Sequence, residues 1–441
     1  MRIITSFIIV SFLLFLICFS CNKKDTVKDV IADPGALIPK ILAISPLSGH
    51  AKTIITISGK YFGLDSSSLV VKINGVEAKK QFYSDSVIKV VAPQAAGTGP
   101  VTVSSSAGTG TGPIFTFDPD IYVAGYERVG FGNAIAKYWK NGVEVPIIGP
   151  ENYGYANSIA VSDTNVFLSG FVYNGTGMGE ARFWKNGEAF QISAGKNNAN
   201  GYAIAVKDTI AYIVGSETDE PYKMNDVAKY WVNTKPTALS GLSSKAYGIS
   251  LVNNDIYISG YQVLGVLNYF PDPVYWKNGI VVTLPKVNPL YYSYATCIAA
   301  TNDHVYVAGY ELGNKYVARY WKDGLPVSLS DGSNDAVASS IFVYNNDIYI
   351  SGYESKGGRK IAKYWKNGVS VALTNGTTDA EANAIFILGG NVYVAGYEST
   401  LPSFTLAYPD EGHVAKYWLN GVPITLGHGI LPSEGKGIFI K

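Results

Sequence analysis

Asp120-Ile121-Tyr122-Val123-Ala124-Gly125-Tyr126-Glu127, followed by Ala136-Lys137-Tyr138-Trp139-Lys140-Asn141-Gly142, is a phrase that returns six more times before the C-terminus. Its glycines fall at Gly125, Gly170, Gly215, Gly260, Gly309, Gly352 and Gly396, in steps of 45, 45, 45, 49, 43 and 44 residues. Its tryptophans (Trp139, Trp184, Trp231, Trp276, Trp321, Trp365 and Trp418) are all the tryptophans in the chain. A fixed period of this size marks one supersecondary unit repeated in tandem.

Each repeat reads as four short strands. In the second, Ser158 to Val161 is followed by a turn at Asp163-Thr164, then Val166 to Phe171, then Ala181 to Trp184, then Asn186-Gly187 and Glu188 to Ile192. Four antiparallel strands per repeat predict a β-propeller blade, and seven sets predict seven blades. The helix-period segments of a helical solenoid are missing. The array opens in mid-blade at the Tyr122 strand and ends on a lone strand, Gly437-Ile438-Phe439-Ile440-Lys441, which matches the opening strand of the other repeats. The C-terminal strand should therefore complete the blade begun by residues 120–149 and remove an open edge.

Two local patterns inside the repeat predict structure rather than chemistry. Asn-Gly at 141–142, 186–187, 278–279, 367–368 and 420–421, with Asp323-Gly324, predicts two-residue hairpin turns with positive φ at both positions. Asn233-Thr234 breaks the pattern, and a different turn is expected there. Glu127, Glu217, Glu311, Glu354 and Glu398 recur with Lys137, Lys229, Arg319, Lys363 and Lys416, whereas the fourth repeat loses both charges together, at Gln262 and Val274. The second repeat has Val172 and keeps Arg182. Paired gain and loss predicts a cross-strand ion pair, not a ring of catalytic or metal-binding acids. One tryptophan per blade predicts inter-blade core.

Composition bounds the remainder. The 441 residues are 47% apolar and 16% charged, which suits a folded chain with a large core. A net charge of +1 leaves no basic surplus for a phosphate backbone, so nucleic acid is not an expected partner. The cysteines are Cys18, Cys21 and Cys297, too few and too clustered for a disulfide framework. Cys297 sits in an apolar strand pattern and reads as a small buried hydrophobe.

Residues 38–118 alternate apolar and polar between closely spaced turn signals, as a small β-sandwich does. Strands are expected at Ile41 to Ile44, Thr53 to Ile57, Val70 to Ile73, Val87 to Val91 and Val101 to Val103, with a hairpin at Asn74-Gly75. Ser45-Pro46…Gly49, Ile57-Ser58-Gly59…Phe62-Gly63, Ile73-Asn74-Gly75 and Ala92-Pro93…Gly99-Pro100-Val101 resemble the IPT/TIG domain. The resemblance implies an immunoglobulin-like fold, here read as a spacer. The expected fold class is thus all-β: an immunoglobulin-like sandwich over 38–118, then a seven-bladed propeller over 119–441 closed by its C-terminal strand.

Met1-Arg2 precedes an apolar run from Ile3 to Phe19. A basic start and an apolar core read as a secretory signal, and the run is short for an uncleaved membrane span. Leu16-Ile17-Cys18-Phe19-Ser20-Cys21 resembles a lipobox, which implies a signal peptide over 1–20 and a lipid on Cys21. Asn22-Lys23-Lys24-Asp25 opens a polar tether over 21–37. A cysteine followed by such a run looks like surface lipoproteins of the Bacteroides group, which implies a location on the outer membrane, lipid-anchored and facing outward.

In a propeller, the connections between strands two and three and from strand four to the next blade share one face. Here that face carries the long, unequal loops: Gln262–Val274 with Tyr269, Phe270 and Asp272; Pro285–Tyr294 with Tyr291 and Tyr292; Ser399–Val414 with Phe404, Tyr408, Asp410 and Glu411. Variable loops on a rigid ring are the usual seat of binding. Aromatic rings beside carboxylates suit sugars, whose apolar faces stack while their hydroxyls need acceptors. These nine residues are the candidate ligand site of a non-catalytic binding module, with a glycan as the expected ligand and a protein as the other. The alternatives are a propeller glycosidase or lyase, for which no catalytic pair stands out, and a protein-interaction scaffold. No cofactor or metal is expected, because His50, His304, His413 and His428 lack ligand spacing, although His413 and His428 could meet. A monomer is expected.

Overall fold

The computed structural model describes residues 37–441 apart from 64, 66, 94–95, 130–132, 148–152, 196, 220–224, 265–269, 402–411 and 428–430. The expected signal peptide, Cys21 and the tether up to residue 36 lie outside the described residues. Every described regular element is a β-strand, and the chain divides between Asp118 and Pro119 into two compact units.

The first unit is a two-sheet sandwich. One sheet runs Lys40–Ser45, Ile54–Lys60, Val87–Val91, Lys79–Tyr83; the other runs Ser48–Gly49, Gly108–Phe117, Gly99–Ser105, Val70–Ile73, Val76–Glu77. Inward residues of both sheets, among them Ile55, Ile57, Val71, Ile88, Val103 and Phe115, form one core. Asn74 and Gly75 both have positive φ, as their hairpin turn requires. Besides the two-residue strands Ser48–Gly49 and Val76–Glu77, two longer strands go beyond the sequence reading. Gly108–Phe117 (GTGTGPIFTF) carries little apolar alternation because it lies close against the first strand: a Cβ on Gly110 would meet Pro39 O at 1.8 Å. Lys79–Tyr83 is mostly exposed, so it carries no apolar signal.

The second unit is a ring of seven four-stranded antiparallel blades. Blade 2 runs Gly154–Ser162, Asn165–Tyr173, Gly179–Lys185, Glu188–Gln191, and blades 3 to 7 repeat that order from Ala199, Ser244, Tyr292, Ala336 and Ala380. Blade 1 takes its outer three strands from Ile121–Arg128, Ala134–Lys140 and Val143–Pro146, and its innermost strand from the C-terminus. That closing strand begins earlier than its apolar signal, at Ser433, and pairs Ile440 with Ile121 and Ser433 with Glu127. Asp120 and Lys441 exchange backbone hydrogen bonds of 2.8 and 3.0 Å at its end.

All seven tryptophans are at most 1% exposed and pack between blades; Trp184, for example, packs with Tyr122, Ala124 and Ala136 of blade 1. The Asn-Gly turns have positive φ at both positions, whereas in Asn233-Thr234 only Asn233 does. The asparagine has a second duty. Its side-chain oxygen accepts the backbone N–H that opens strand two, as Asn141 does from Ile121 (2.8 Å) and Asn420 from Val392 (2.9 Å). Asp323 (2.9 Å, from Val305) and Asn233 (3.1 Å, from Ala211) make the same bond, so Asp substitutes freely and Asn233 persists where the glycine is lost.

A single contact explains the glycine of the repeated phrase. Each innermost strand carries a β-bulge opposite it, with extra residues Lys436, Asn157, Tyr202, Tyr247, Thr296, Ser339 and Asn383. The bulge presses a carbonyl oxygen onto the glycine. A Cβ on any of the seven would lie 1.8–1.9 Å from a backbone oxygen, for example Tyr294 O against Gly309. Backbone, unlike a flexible side chain, cannot swing aside.

Two outcomes follow from this packing. Gly309→Ala should lose about 1–3 kcal/mol or more of unfolding free energy, read by urea denaturation, and wild-type stability would refute the contact. Removing residues 435–441 should lower the melting temperature sharply, because it reopens a blade edge and strips Trp139 of its partners around Ile438 and Ile440. Unchanged melting would refute the closure.

Candidate functional site

The bulges determine what faces the mouth of the ring. The residue whose carbonyl touches each glycine lies directly across from the residue that follows it. Going around, these cross-strand neighbours are Glu434 and Tyr126, Tyr155 and Phe171, Asn200 and Ser216, then Lys245 and Tyr261. Tyr294 and Tyr310, Val337 and Tyr353, and Glu381 and Tyr397 complete the circle. All sit where first strands begin and second strands end, which is the long-loop face.

Two clefts open there. The first, of about 500 Å³ between blades 2, 3 and 4, is lined by Phe171, Tyr173, Asn198, Asn200, Tyr202, Asp226, Lys245 and Tyr261. Lys245 Nζ lies 3.0 Å from Asp226 Oδ2, and Ser216 Oγ donates to Asp226 Oδ1 at 3.1 Å. Burial works against the Lys245 ammonium, but Tyr202 and the Asp226 carboxylate outweigh it and hold the group above the ordinary lysine value. Burial pushes the Tyr261 hydroxyl up to about 12. The tyrosine therefore stays neutral and can both donate and accept.

The second cleft, of about 470 Å³ between blades 5, 6 and 7, is lined by Tyr310, Tyr316, Asp335, Val337, Tyr353, Ser355, Lys360 and Glu381. Lys360 Nζ lies 2.5 Å from Glu381 Oε1 and 4.7 Å from the centre of the Tyr353 ring. Asp335 accepts the Tyr316 N–H at 2.9 Å and pairs with Lys315 at 3.1 Å. The Tyr316 N–H lowers its carboxyl, burial opposes, and Lys315 adds to the lowering.

The residues expected from the sequence divide as follows. Phe270 and Tyr292 meet edge to face at 5.1 Å, and Asp272 pairs with Lys286 at 2.7 Å. The Tyr291 ring lies over Gly313. These four lie at the long-loop end of blades 4 and 5 and do not line either cleft. Tyr269, Phe404, Tyr408, Asp410 and Glu411 lie outside the described residues, as does His428. The cleft residues missed by sequence reasoning are the bulge residue Tyr202 and the post-glycine Tyr261, Tyr310 and Tyr353. The bulge position carries a signal, because it changes chemistry from blade to blade within the aligned repeats, whereas the post-glycine tyrosine mostly recurs and carries none.

All five expected ion pairs form: Glu127 with Lys137, Glu217 with Lys229 (2.6 Å), Glu311 with Arg319 (2.5 Å), Glu354 with Lys363, and Glu398 with Lys416 (2.6 Å). They are diagonal cross-strand pairs, and Arg182 takes Glu180 instead (3.0 Å). Cys297 is buried, which pushes its thiol up to about 12. His413 meets the closing strand: its Nδ1 lies 2.8 Å from Glu434 Oε1, and its ring stacks on Tyr397 at 3.7 Å. Glu434 also pairs with Lys436. Among the described residues, no group of three His, Cys, Asp or Glu side chains could hold a metal ion.

Residues 39–117 match the IPT/TIG domain, so the chain carries such a domain ahead of its propeller. No curated protein matches the chain. Among solved structures, an auxiliary nutrient binding protein from Bacteroides ovatus is similar at 12% identity, covering 87% of this chain and 98% of its own, with a TM-score of 0.39. An auxiliary nutrient binding protein from Bacteroides thetaiotaomicron has 11% identity, 88% and 99% coverage and a TM-score of 0.34. The β-propeller domain of the Trilobed protease from Pyrococcus furiosus has 8% identity, 89% and 99% coverage and a TM-score of 0.38.

The Glu434 cluster has a pH signature. Burial favours the neutral carboxyl, but Lys436 and His413 outweigh it and hold Glu434 well below the usual carboxylate range. Its stabilisation is therefore complete above the ordinary value of 4.5 and is lost as pH falls through the lower folded value. Glu434→Gln should cost about 3 kcal/mol at neutral pH, and the gap from wild type should narrow progressively in acid. Urea unfolding across pH checks both, and a gap that does not depend on pH would refute the ion pair.

Proposed function

We propose that this protein is a lipid-anchored surface protein of the outer membrane whose propeller binds a glycan, without turning it over, on its long-loop face. The two tyrosine-lined clefts carry this reading. Each presents half-buried aromatic faces for the apolar side of a sugar ring, with hydroxyl and paired charged groups at the edge for its hydroxyls, and the first adds the amides of Asn198 and Asn200. Phe270, Asp272, Tyr291 and Tyr292, together with Tyr269, Phe404, Tyr408, Asp410 and Glu411, belong to the surrounding loops as candidate rim contacts.

The cleft carboxylates support binding over catalysis. Asp226, Asp335 and Glu381 are each engaged by a lysine. Glycosidic cleavage needs one carboxylic acid with a raised pKa to protonate the leaving group, whereas the Tyr316 N–H and Lys315 hold the Asp335 carboxyl below its ordinary value. Cys21 and the tether behind it would hold the IPT/TIG domain as a spacer between lipid and propeller.

A glycan array with protein beginning after Cys21 tests the ligand. Binding without released products is expected, and Tyr261→Ala should weaken it roughly tenfold, the size of one lost aromatic contact. Product release would move the protein to the enzymes. No bound glycan, with a specific protein recovered by pull-down, would make it a scaffold. Mass spectrometry of the protein recovered from membranes should find a chain that begins at a lipidated Cys21, and Cys21→Ser should release the protein from the membrane fraction.

A further inference from the structure

Six half-buried tyrosines join the two clefts. Tyr202 of the first cleft lies 5.1 Å, centroid to centroid, from Tyr247, which lies 6.1 Å from Tyr261. Tyr261 lies 5.2 Å from Tyr294, which lies 5.1 Å from Tyr310, which lies 5.4 Å from Tyr316 of the second cleft. The run crosses blades 3, 4 and 5 without a break, its rings meeting in tilted and edge-to-face contacts. Burial raises the hydroxyls of Tyr247, Tyr261, Tyr294 and Tyr310, so these are neutral through the physiological range.

From this geometry we infer that the ligand is a linear chain of sugars that engages both clefts at once and lies along the tyrosine track between them. The inference rests on the glycan reading and narrows its substrate class, from any sugar to the interior of an extended polysaccharide. Two isolated clefts would each take a short sugar independently. A continuous aromatic run between them instead rewards every additional ring placed on it, and anchoring in one cleft raises the effective concentration of the same chain at the other. Aromatic faces suit this task because they accept successive rings without demanding a particular hydroxyl pattern at each.

The test is calorimetric titration of the mature protein with size-fractionated cello-, manno-, xylo- and galacturonan oligosaccharides of roughly two to eight sugars. In at least one series, affinity should rise at least about tenfold with length. That rise should vanish in Tyr294→Ala, at the middle of the track, and survive in Tyr294→Phe, which keeps the ring. If Tyr294→Ala melts below the assay temperature, Tyr316→Ala at the end of the track replaces it and should blunt the rise. Equal affinity for short and long members of every series that binds would overturn the track and leave the glycan site standing. So would an undiminished rise in the alanine variants. No binding of any series to the wild type would overturn the glycan reading itself, and the track with it.

Discussion

One steric contact sets the geometry of the propeller: a carbonyl oxygen of each innermost strand pressed onto the glycine of the next strand. At 1.8–1.9 Å from where a Cβ would sit, that oxygen tolerates no side chain. The contact exists because the inner strand bulges by one residue at that point, and a bulge bends and re-aims a strand. It repeats in all seven blades. The same glycine also leaves room for the tryptophan ring of its own blade, as Gly260 does for Trp276. One small residue thus serves both the inter-blade core and the inner rim.

Fixing the backbone there frees the side chains around it. The bulge residue varies among Lys436, Asn157, Tyr202, Tyr247, Thr296, Ser339 and Asn383 with no change in register. Some of these sew the ring together: Asn157 donates to Asn200 Oδ1 and Gly201 O at 2.9 Å, and Thr296 to Ala338 O at 2.7 Å. Others, Tyr202 and Tyr247, project aromatic surface instead. The closing strand follows the same rule, with Lys436 at its bulge and Glu434 before it. Its ties to His413 make the seam a buried electrostatic junction as well as a hydrogen-bonded one.

The fold was legible because its signals are periodic. Blade number, closure, ion pairs and hairpin turns all follow from repeats compared with one another, and each copy checks the next. The longer strands that escaped, Gly108–Phe117 and Lys79–Tyr83, belong to the unrepeated unit and lack apolar alternation. The clefts were illegible for the opposite reason. Tyr261, Tyr310 and Tyr353 belong to the phrase itself, and a residue that recurs reads as structure. The unequal loops, of which Phe270, Asp272, Tyr291 and Tyr292 are the described part, carry the more conspicuous sequence signal. Only the strand register reveals that a recurring tyrosine faces a non-recurring neighbour such as Lys245, and that the pair, not either member, makes a surface.

The charges of the clefts bear on what kind of recognition such a surface can perform. Lys245 is paired with Asp226, Lys360 with Glu381 and Lys315 with Asp335, all within the protein. A ligand that competed for one of these ions would leave its partner uncompensated in a partly buried site, which is costly. A ligand that accepts from and donates to intact pairs, while laying apolar faces on tyrosine, incurs no such loss. Polyhydroxylated rings meet that condition better than ligands whose main handle is a single strong charge. The arrangement therefore suits recognition spread over many neutral contacts rather than one strong ion pair.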